Sequence, residues 1–283
     1  MRFSFKRRPT AGAIKRNALR IEGRLRREAA ILRLKVTFQS EHPITLPIHY
    51  HPILQGVLYS SIQVPALRDQ LHGKGFSEGQ RPAKLFTFSR LEGHYELHPQ
   101  SRTITFDSPV EWTVSSAVDD LATHVASGLL KAPSVTLGSN AVEVRHVQME
   151  GFRGTARDVQ IRLLSPVTTY RTEVLPGGRK YTHYISPWDP ESASLIKRNL
   201  AFKASALGQS CSEQEVGIRL IPIGEPTDRS EKVVMFKSTP IRVWDGDFRL
   251  AGDPYFIKLA WDAGIGGKSS EGFGCFETLS NGR

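Results

Sequence analysis

Leu-Arg-Leu-Lys-Val-Thr-Phe, residues 32–38, opens the ordered body of this 283-residue chain. Apolar and polar residues alternate along the stretch, which is typical of a β-strand with one buried face. Beyond it, the apolar residues between Ile53 and Ile62 recur at helical spacing. A strand followed by a helix therefore begins the predicted fold.

The rest of the first half continues this alternation of strands and helices. Pro65 suits the first turn of a second short helix, and Gly73 is well placed to end it. The patterns then predict strands at 84–91 and 103–106, a helix at 118–130 and a strand at 142–149. The order β, α, β, β, α, β is that of a ferredoxin-like or RNA-recognition-type unit.

The second half repeats a similar order. We predict strands at 159–164, 216–223, 232–236, 241–244 and 273–279, and helices at 190–207 and 253–261. The fold class is therefore α+β, with two tandem ferredoxin-like domains at 32–150 and 151–283. Their boundary is predicted near residues 150–158.

The net charge of +10 is concentrated at the N-terminus. Residues 1–31 carry ten basic and two acidic side chains, which leaves 28 basic and 26 acidic residues in the body. This basic extension is either a solvated, disordered leader or an RNA-binding arm, and both alternatives stay open.

The composition favours a globular cytoplasmic protein. Hydrophobic residues make up 39% and charged residues 23%, and no apolar run is long enough for a membrane span. The N-terminus lacks the apolar core of a signal peptide. The two cysteines, Cys211 and Cys275, predict neither a disulfide scaffold nor a four-cysteine zinc site.

The most unusual stretch is Ala-Gly-Ile-Gly-Gly-Lys-Ser-Ser-Glu-Gly-Phe-Gly-Cys-Phe at 263–276. Closely spaced glycines allow a backbone to approach a ligand and to aim N–H groups at phosphate oxygens. A nucleotide-binding P-loop is excluded because Asp262 stands where its first glycine is required. The dinucleotide pattern also fails, since Ser269 stands where its third glycine is required. A tight turn without a ligand remains the alternative.

That glycine-rich run resembles the C-terminal signature of CRISPR-associated RAMP proteins, and more narrowly of their repeat-processing endoribonucleases. Three more stretches resemble the same family in the same order: Leu-Pro-Ile-His-Tyr-His-Pro-Ile-Leu-Gln-Gly-Val-Leu-Tyr at 46–59, Lys-Leu-Phe-Thr-Phe-Ser at 84–89, and Ser-Pro-Trp-Asp-Pro at 186–190 with Leu-Ile-Lys-Arg-Asn-Leu at 195–200. These stretches lie between residues 46 and 276, and the resemblance covers essentially all of residues 32–280. The basic extension has no counterpart in the family pattern.

The resemblance implies a pair of ferredoxin-like domains and cleavage of CRISPR repeat RNA by its own 2′-hydroxyl, without metal or cofactor. Position by position, it implies that Tyr59, His72 and Lys84 form the active site. A histidine near neutral pKa suits a general acid or base, and His72 is predicted at a helix C-terminus. A lysine offers positive charge to the transition state, and a tyrosine hydroxyl can hold the nucleophile or a phosphate oxygen.

Further side chains are candidates for RNA contact. Arg179 and Lys180 follow Gly177-Gly178 in what we interpret as a basic hairpin tip, and Arg68, Lys74 and Arg81 flank the predicted active site. In the glycine-rich run the candidates are Gly264, Gly266, Gly267, Lys268, Ser269, Gly272 and Gly274. A charged loop is often merely solvated, and that alternative applies to each basic residue.

His49 and His51 could be metal ligands, a second catalytic pair or RNA contacts. Because no acidic or thiol side chains lie near them in sequence, we predict no metal site and assign them to RNA contact. The predicted partners are repeat RNA, subunits of a CRISPR effector complex and a second copy of the chain, with no membrane partner. A non-catalytic RAMP subunit that holds guide RNA, and a general RNA-binding protein, are the alternative functions.

Overall fold

The structure is a computed structural model that describes residues 32–75, 83–118, 121–152 and 157–279, without the side chains of residues 32, 72 and 74. The basic extension 1–31 and Arg81 lie outside the described residues. The α-helices are α1 His51–Ser61, α2 Pro65–Asp69, α3 Leu121–Lys131, α4 Glu191–Ala206 and α5 Pro254–Ala263. None of the helices in the described part of the chain is long and apolar enough to span a bilayer.

The strands of the first half are β1 Leu32–Gln39, β2 Ile44–Pro47, β3 Phe86–Phe88, β4 Tyr95–His98, β5 Thr103–Phe106, β6 Val110–Ser116, β7 Val135–Leu137 and β8 Asn140–Gly151. Those of the second half are β9 Asp158–Leu163, β10 Thr169–Val174, β11 Lys180–Ile185, β12 Ile218–Pro222, β13 Glu231–Phe236, β14 Thr239–Trp244, β15 Asp247–Gly252 and β16 Phe276–Thr278.

The first-half sheet has the antiparallel order β3-β6-β1-β8-β7. Without the edge strand β7, this is the strand order of a ferredoxin-like βαββαβ unit. Leu34, Val36 and Phe38 are fully buried on one face of β1, where they join a core that includes Leu54 and Leu58 of α1. The predicted strand–helix beginning is confirmed.

One strand of this unit is assigned wrongly by the sequence pattern. The stretch 103–106 is a strand, but it belongs to a separate sheet of order β2-β5-β4. The third strand of the ferredoxin-like unit is instead β6, which no alternation reveals. It is buried along nearly its whole length because protein covers both of its faces.

The second-half sheet has the antiparallel order β12-β15-β9-β16, again the ferredoxin-like arrangement, with α4 and α5 as its helices. The sequence pattern misses β15, the strand that pairs with both β12 and β9. The predicted strands at 232–236 and 241–244 form a hairpin of their own, β13–β14. The α+β fold with tandem ferredoxin-like units is confirmed.

The two units are joined through the polar face of the first sheet. Arg33 of β1 is buried and donates to the carbonyls of Phe276 at 2.8 Å and Trp261 at 2.9 Å. The hydroxyl of Ser115 donates to the same Trp261 carbonyl at 2.8 Å. These contacts fix the second unit against β1 and β6 of the first sheet. The boundary at 150–158 stays a prediction.

Candidate active site

Helix α1 positions Tyr59 near its C-terminal end. The Tyr59 ring packs edge-on against Phe86 of β3, with ring centroids 6.1 Å apart. Its hydroxyl makes a long hydrogen bond of 3.4 Å to the backbone carbonyl of Leu71. Helix α1 is therefore linked to the residue that directly precedes His72.

Lys84 stands just before β3 and reaches the same tyrosine. Its Nζ donates to the Tyr59 hydroxyl at 3.4 Å and lies 5.9 Å from the centre of the ring. Burial raises the pKa of Tyr59 to about 12, so the phenol is neutral at physiological pH. Burial also lowers the pKa of Lys84; neighbouring Glu271 opposes that shift, and Lys237 adds to it.

His72 lies in a π-helical turn, Gln70–Lys74, that continues α2. The predicted helix end at Gly73 is wrong. The turn ends at Gly75, whose φ of 62° is easily adopted by glycine and whose N–H donates to the Gln70 carbonyl at 2.7 Å. The backbone before His72 thus contacts Tyr59, which in turn bonds Lys84, while the side chains of His72 and Lys74 lie outside the described structure. Arg68 is exposed on α2.

Lys84 faces a cleft of about 400 Å³ formed by both halves of the chain. The first half contributes Gln55, Ala83, Lys84 and Leu85, and the second contributes Tyr170, Asn199, Phe202, Lys203, Phe236, Lys237 and Lys268–Glu271. Gln55 joins the two walls, since its Nε2 donates to the Ser270 carbonyl at 2.7 Å. The glycine-rich run and the predicted active site therefore border the same space.

The cleft carries more positive than negative charge. Lys84, Lys237 and Lys268 line it together with Glu271. The Glu271 carboxylate pairs with Lys268 at 3.7 Å, and burial raises its pKa against the pull of the three lysines. Sequence patterns single out neither Lys237 nor Glu271, because no spacing indicates that these segments meet.

Most of the glycine-rich run is enclosed by protein. A Cβ at Gly264 would lie 3.0 Å from Thr87 Cβ, one at Gly272 would lie 2.3 Å from Phe88 Cε2, and one at Gly274 would lie 1.9 Å from the Ile265 carbonyl oxygen. The RNA contacts predicted for these three glycines are contradicted, because their backbone packs against the body of the protein.

The middle of the run remains compatible with RNA contact. Gly266 and Gly267 border a neighbouring cavity of about 330 Å³, and Lys268 and Ser269 line the cleft itself. RNA contact at these four residues stays a prediction.

A buried lysine supports the start of the run. Lys203 of α4 is only 5% exposed, and its Nζ donates to the carbonyls of Ala263 at 3.0 Å, Gly264 at 2.7 Å and Gly266 at 3.3 Å. A cation at the C-terminal end of α5 also suits the helix dipole. The only sequence signal for it is a lysine within the apolar pattern of a helix.

The two histidines His49 and His51 differ in how deeply they are buried. The His51 ring is 3% exposed and stacks on Phe273, with centroids 5.1 Å apart. Burial lowers its pKa to about 3, so the ring is neutral. The predicted RNA contact at His51 is therefore wrong. His49 is half-buried and lines a separate groove of about 790 Å³, where its RNA contact stays a prediction.

The structure contains the predicted basic hairpin tip, between β10 and β11. Strands β10 and β11 pair along their length, and Gly177 and Gly178, with φ values of 87° and 80°, turn the chain between them. Arg179 and Lys180 are exposed at this tip. Their side chains are accessible, and contact with RNA stays a prediction for both.

The second half of the chain matches the model of a known protein family. Residues 149–278 match the family model for the C-terminal part of the CRISPR-associated protein Cas6. A curated CRISPR-associated endoribonuclease Cas6 from Pyrococcus furiosus is 25% identical over 243 residues, covering 83% of this chain and 84% of the relative. A Cas6 endoribonuclease from Haloferax mediterranei is 24% identical and covers 86% and 92%.

Solved structures share the whole fold. A Cas6-related protein from Pyrococcus furiosus superposes with a TM-score of 0.75 at 16% identity, covering 89% of this chain and all of the other. A RAMP protein that binds different RNA substrates gives a TM-score of 0.72 at 18% identity, covering 88% and 100%. The second half of the chain is thus similar to the C-terminal part of Cas6, and the whole chain is similar in sequence to curated Cas6 endoribonucleases.

Proposed function

We propose that this Cas6-like endoribonuclease cuts CRISPR repeat RNA in the cleft beside Lys84, by attack of the RNA's own 2′-hydroxyl and without a metal ion. One observation carries the assignment of the site. The Tyr59 hydroxyl bonds both Lys84 and the carbonyl of Leu71, and so gathers the three predicted catalytic positions around one point. The relatives named as endoribonucleases support the reaction.

Internal cleavage of RNA requires two proton transfers and the stabilisation of a developing charge. The 2′-hydroxyl must lose a proton, the charge on the phosphorus centre must be stabilised, and the 5′-oxygen must gain a proton. We assign one of the two proton transfers to His72, as general acid or general base, because imidazole titrates near neutral pH; the other proton is exchanged with solvent water. Lys84 stabilises the developing charge, and Tyr59, which stays protonated, donates a hydrogen bond that holds the nucleophile or a phosphate oxygen in line.

The strand is gripped by phosphate contacts on both sides of the cut. Lys268 and Ser269 line the cleft, and the adjoining cavity is bordered by Gly266 and Gly267. Arg68, Lys74, His49, Arg179 and Lys180 are proposed to continue the RNA path over the surface. Phosphate contacts of this kind position the RNA but do not read its sequence.

The proposal is tested with end-labelled repeat RNA in the presence of EDTA. The wild type is expected to give products with 2′,3′-cyclic phosphate and 5′-hydroxyl ends. His72→Ala should slow single-turnover cleavage by about 10²–10⁴-fold, and Lys84→Ala by about 10²–10³-fold. His51→Phe serves as a control that changes a buried histidine outside the site and should retain cleavage.

Two outcomes would contradict the assignment. If the wild type binds repeat RNA without cutting it, the chain is a guide-holding subunit and not a nuclease. If cleavage survives in His72→Ala and is lost in His49→Ala, the catalytic histidine is misassigned.

The proposal also covers the fate of the cleaved RNA and the oligomeric state of the protein. In the cytoplasm the cut RNA is expected to pass to subunits of a CRISPR effector complex, and the chain is expected to work as a homodimer. Light scattering of the purified protein, with and without uncleavable repeat RNA, measures the second expectation directly. A monomer mass in both samples would contradict it.

A further inference from the structure

Lys237 occupies an unusual backbone conformation at the edge of the cleft. It is the first residue of the two-residue turn between β13 and β14, and its φ is 55°. Two-residue hairpin turns often need such left-handed angles, and glycine, asparagine or aspartate usually supply them. A lysine is conformationally unfavourable at this position. The groups near its ammonium therefore need to be considered.

The hairpin that carries Lys237 is held firmly. Phe236, Ile241 and Val243 form a small buried cluster with Phe273 of the glycine-rich run. The hydroxyl of Thr168 also donates to the Arg242 carbonyl at 2.8 Å. The turn is therefore fixed relative to the wall of the cleft that contains Lys268.

Lys237 is exposed, and its ammonium lies 5.9 Å from the centre of the Phe236 ring. Among the described residues it makes no ion pair, whereas Lys268 is paired with Glu271. Its ammonium is close enough to add to the depression of the pKa of Lys84. Four lysines (Lys84, Lys203, Lys237 and Lys268) and one carboxylate (Glu271) thus line the cleft, an excess of positive charge that an anionic strand would neutralise.

We infer that Lys237 is a phosphate-binding residue, and that it holds an RNA phosphate next to the one cut beside Lys84. The strand would then be gripped from both halves, with Lys84 in the first and Lys237 in the second. This inference rests on the proposed function only in taking RNA as the ligand of the cleft. It adds a positioning cation that lies more than 150 residues from Lys84 in the chain.

The test is the salt dependence of binding. Repeat RNA carrying 2′-deoxyribose at the cleaved nucleotide is titrated with protein at several salt concentrations. Lys237→Asn removes the charge and keeps a residue that tolerates positive φ. It should flatten the plot of log affinity against log salt by about 0.7, the value for one phosphate of a single strand, and weaken binding about fivefold near 0.1 M salt. Lys237→Arg should keep the wild-type slope.

The matched control is Lys131→Ala, which removes one lysine at the end of α3, outside the cleft. It should also keep the wild-type slope. A wild-type slope in Lys237→Asn, or the same loss in Lys131→Ala, would overturn the inference. Binding is measured on RNA that cannot be cut, so a wild type that binds but fails to cut unmodified RNA would refute the proposed function alone.

Discussion

The guanidinium of Arg33 lies 3.8 Å from the ring centre of Trp261 and donates to the backbone carbonyl of the same residue. Arg33 belongs to the first strand of the first unit, and Trp261 to the last helix of the second. One side chain therefore combines a cation–π contact with hydrogen bonds across the junction. It is 3% exposed, so water cannot replace those bonds if it is removed.

Arg33→Met is expected to lower the free energy of unfolding by about 2–4 kcal/mol, because the buried carbonyls of Phe276 and Trp261 each lose one charge-assisted hydrogen bond. The measurement is chemical denaturation followed by circular dichroism. Lys35→Met is the control on the same strand face, where a half-exposed lysine pairs with Glu111 at 2.8 Å. It should cost at most about 1 kcal/mol. Equal losses in the two variants would show that Arg33 does not hold the junction.

Gly274→Ala should destabilise the protein by at least about 2 kcal/mol, since its φ is 70° and the new Cβ would collide with the Ile265 carbonyl. The same change at Gly56 provides the control. Gly56 is exposed in α1, and nothing lies within 4 Å of an added Cβ. Gly56→Ala should stabilise by about 0.5–1 kcal/mol. If thermal unfolding shifts the same way in both, the close packing of Gly274 is refuted.

The buried His51 ring makes stability depend on pH. Its pKa falls from 6.5 to about 3 on folding, so the unfolded chain takes up a proton at a higher pH than the native protein does. The stabilisation is complete above pH 6.5 and is lost as pH falls toward 3, by on the order of 4 kcal/mol. His51→Phe should flatten the curve of unfolding free energy against pH in this window.

Exposed His42→Gln is the control for that measurement and should keep the wild-type curve. An unchanged slope in His51→Phe would mean that other groups cause the acid loss of stability.

Tyr59→Phe should slow cleavage about tenfold, the effect of losing a hydrogen bond worth about 1.4 kcal/mol in the transition state. Because the pKa of Tyr59 is about 12, the phenol does not titrate at working pH, and the shape of the pH–rate profile should not change. Single-turnover rates between pH 5 and 10 are the readout. A changed profile would give Tyr59 a role in proton transfer.

The sequence predicts the helices and most strands because each has one buried face, which gives its apolar residues a regular spacing. It fails at β6, whose Thr113 and Ser115 are polar but buried. The second unit covers that face, and Ser115 is bonded to Trp261, which lies 146 residues away in sequence. No local pattern can reveal such a cover. Arg33 is a similar case, since its place in the strand is that of a solvent-facing residue.

Some residues of the candidate site can be predicted from the sequence and others cannot. Tyr59 and Lys84 are identified by family motifs, and the structure brings them within hydrogen-bonding distance of each other. The role of the glycines at 264 and 272 is not predicted, because the residues packed against them include Thr87 and Phe88, which are distant in sequence. For the same reason Lys237 and Glu271 are found only when the fold places them beside Lys84.

The cleft also has a consequence for biosynthesis. Lys84 is synthesised more than 150 residues before Lys237 and Lys268, which line the opposite wall. A growing polypeptide that ends before these segments has only one wall of the cleft. A partly translated chain that lacks these segments therefore cannot grip RNA as the folded protein does, and nearby messenger and ribosomal RNA meet no assembled cutting site until both walls have been synthesised.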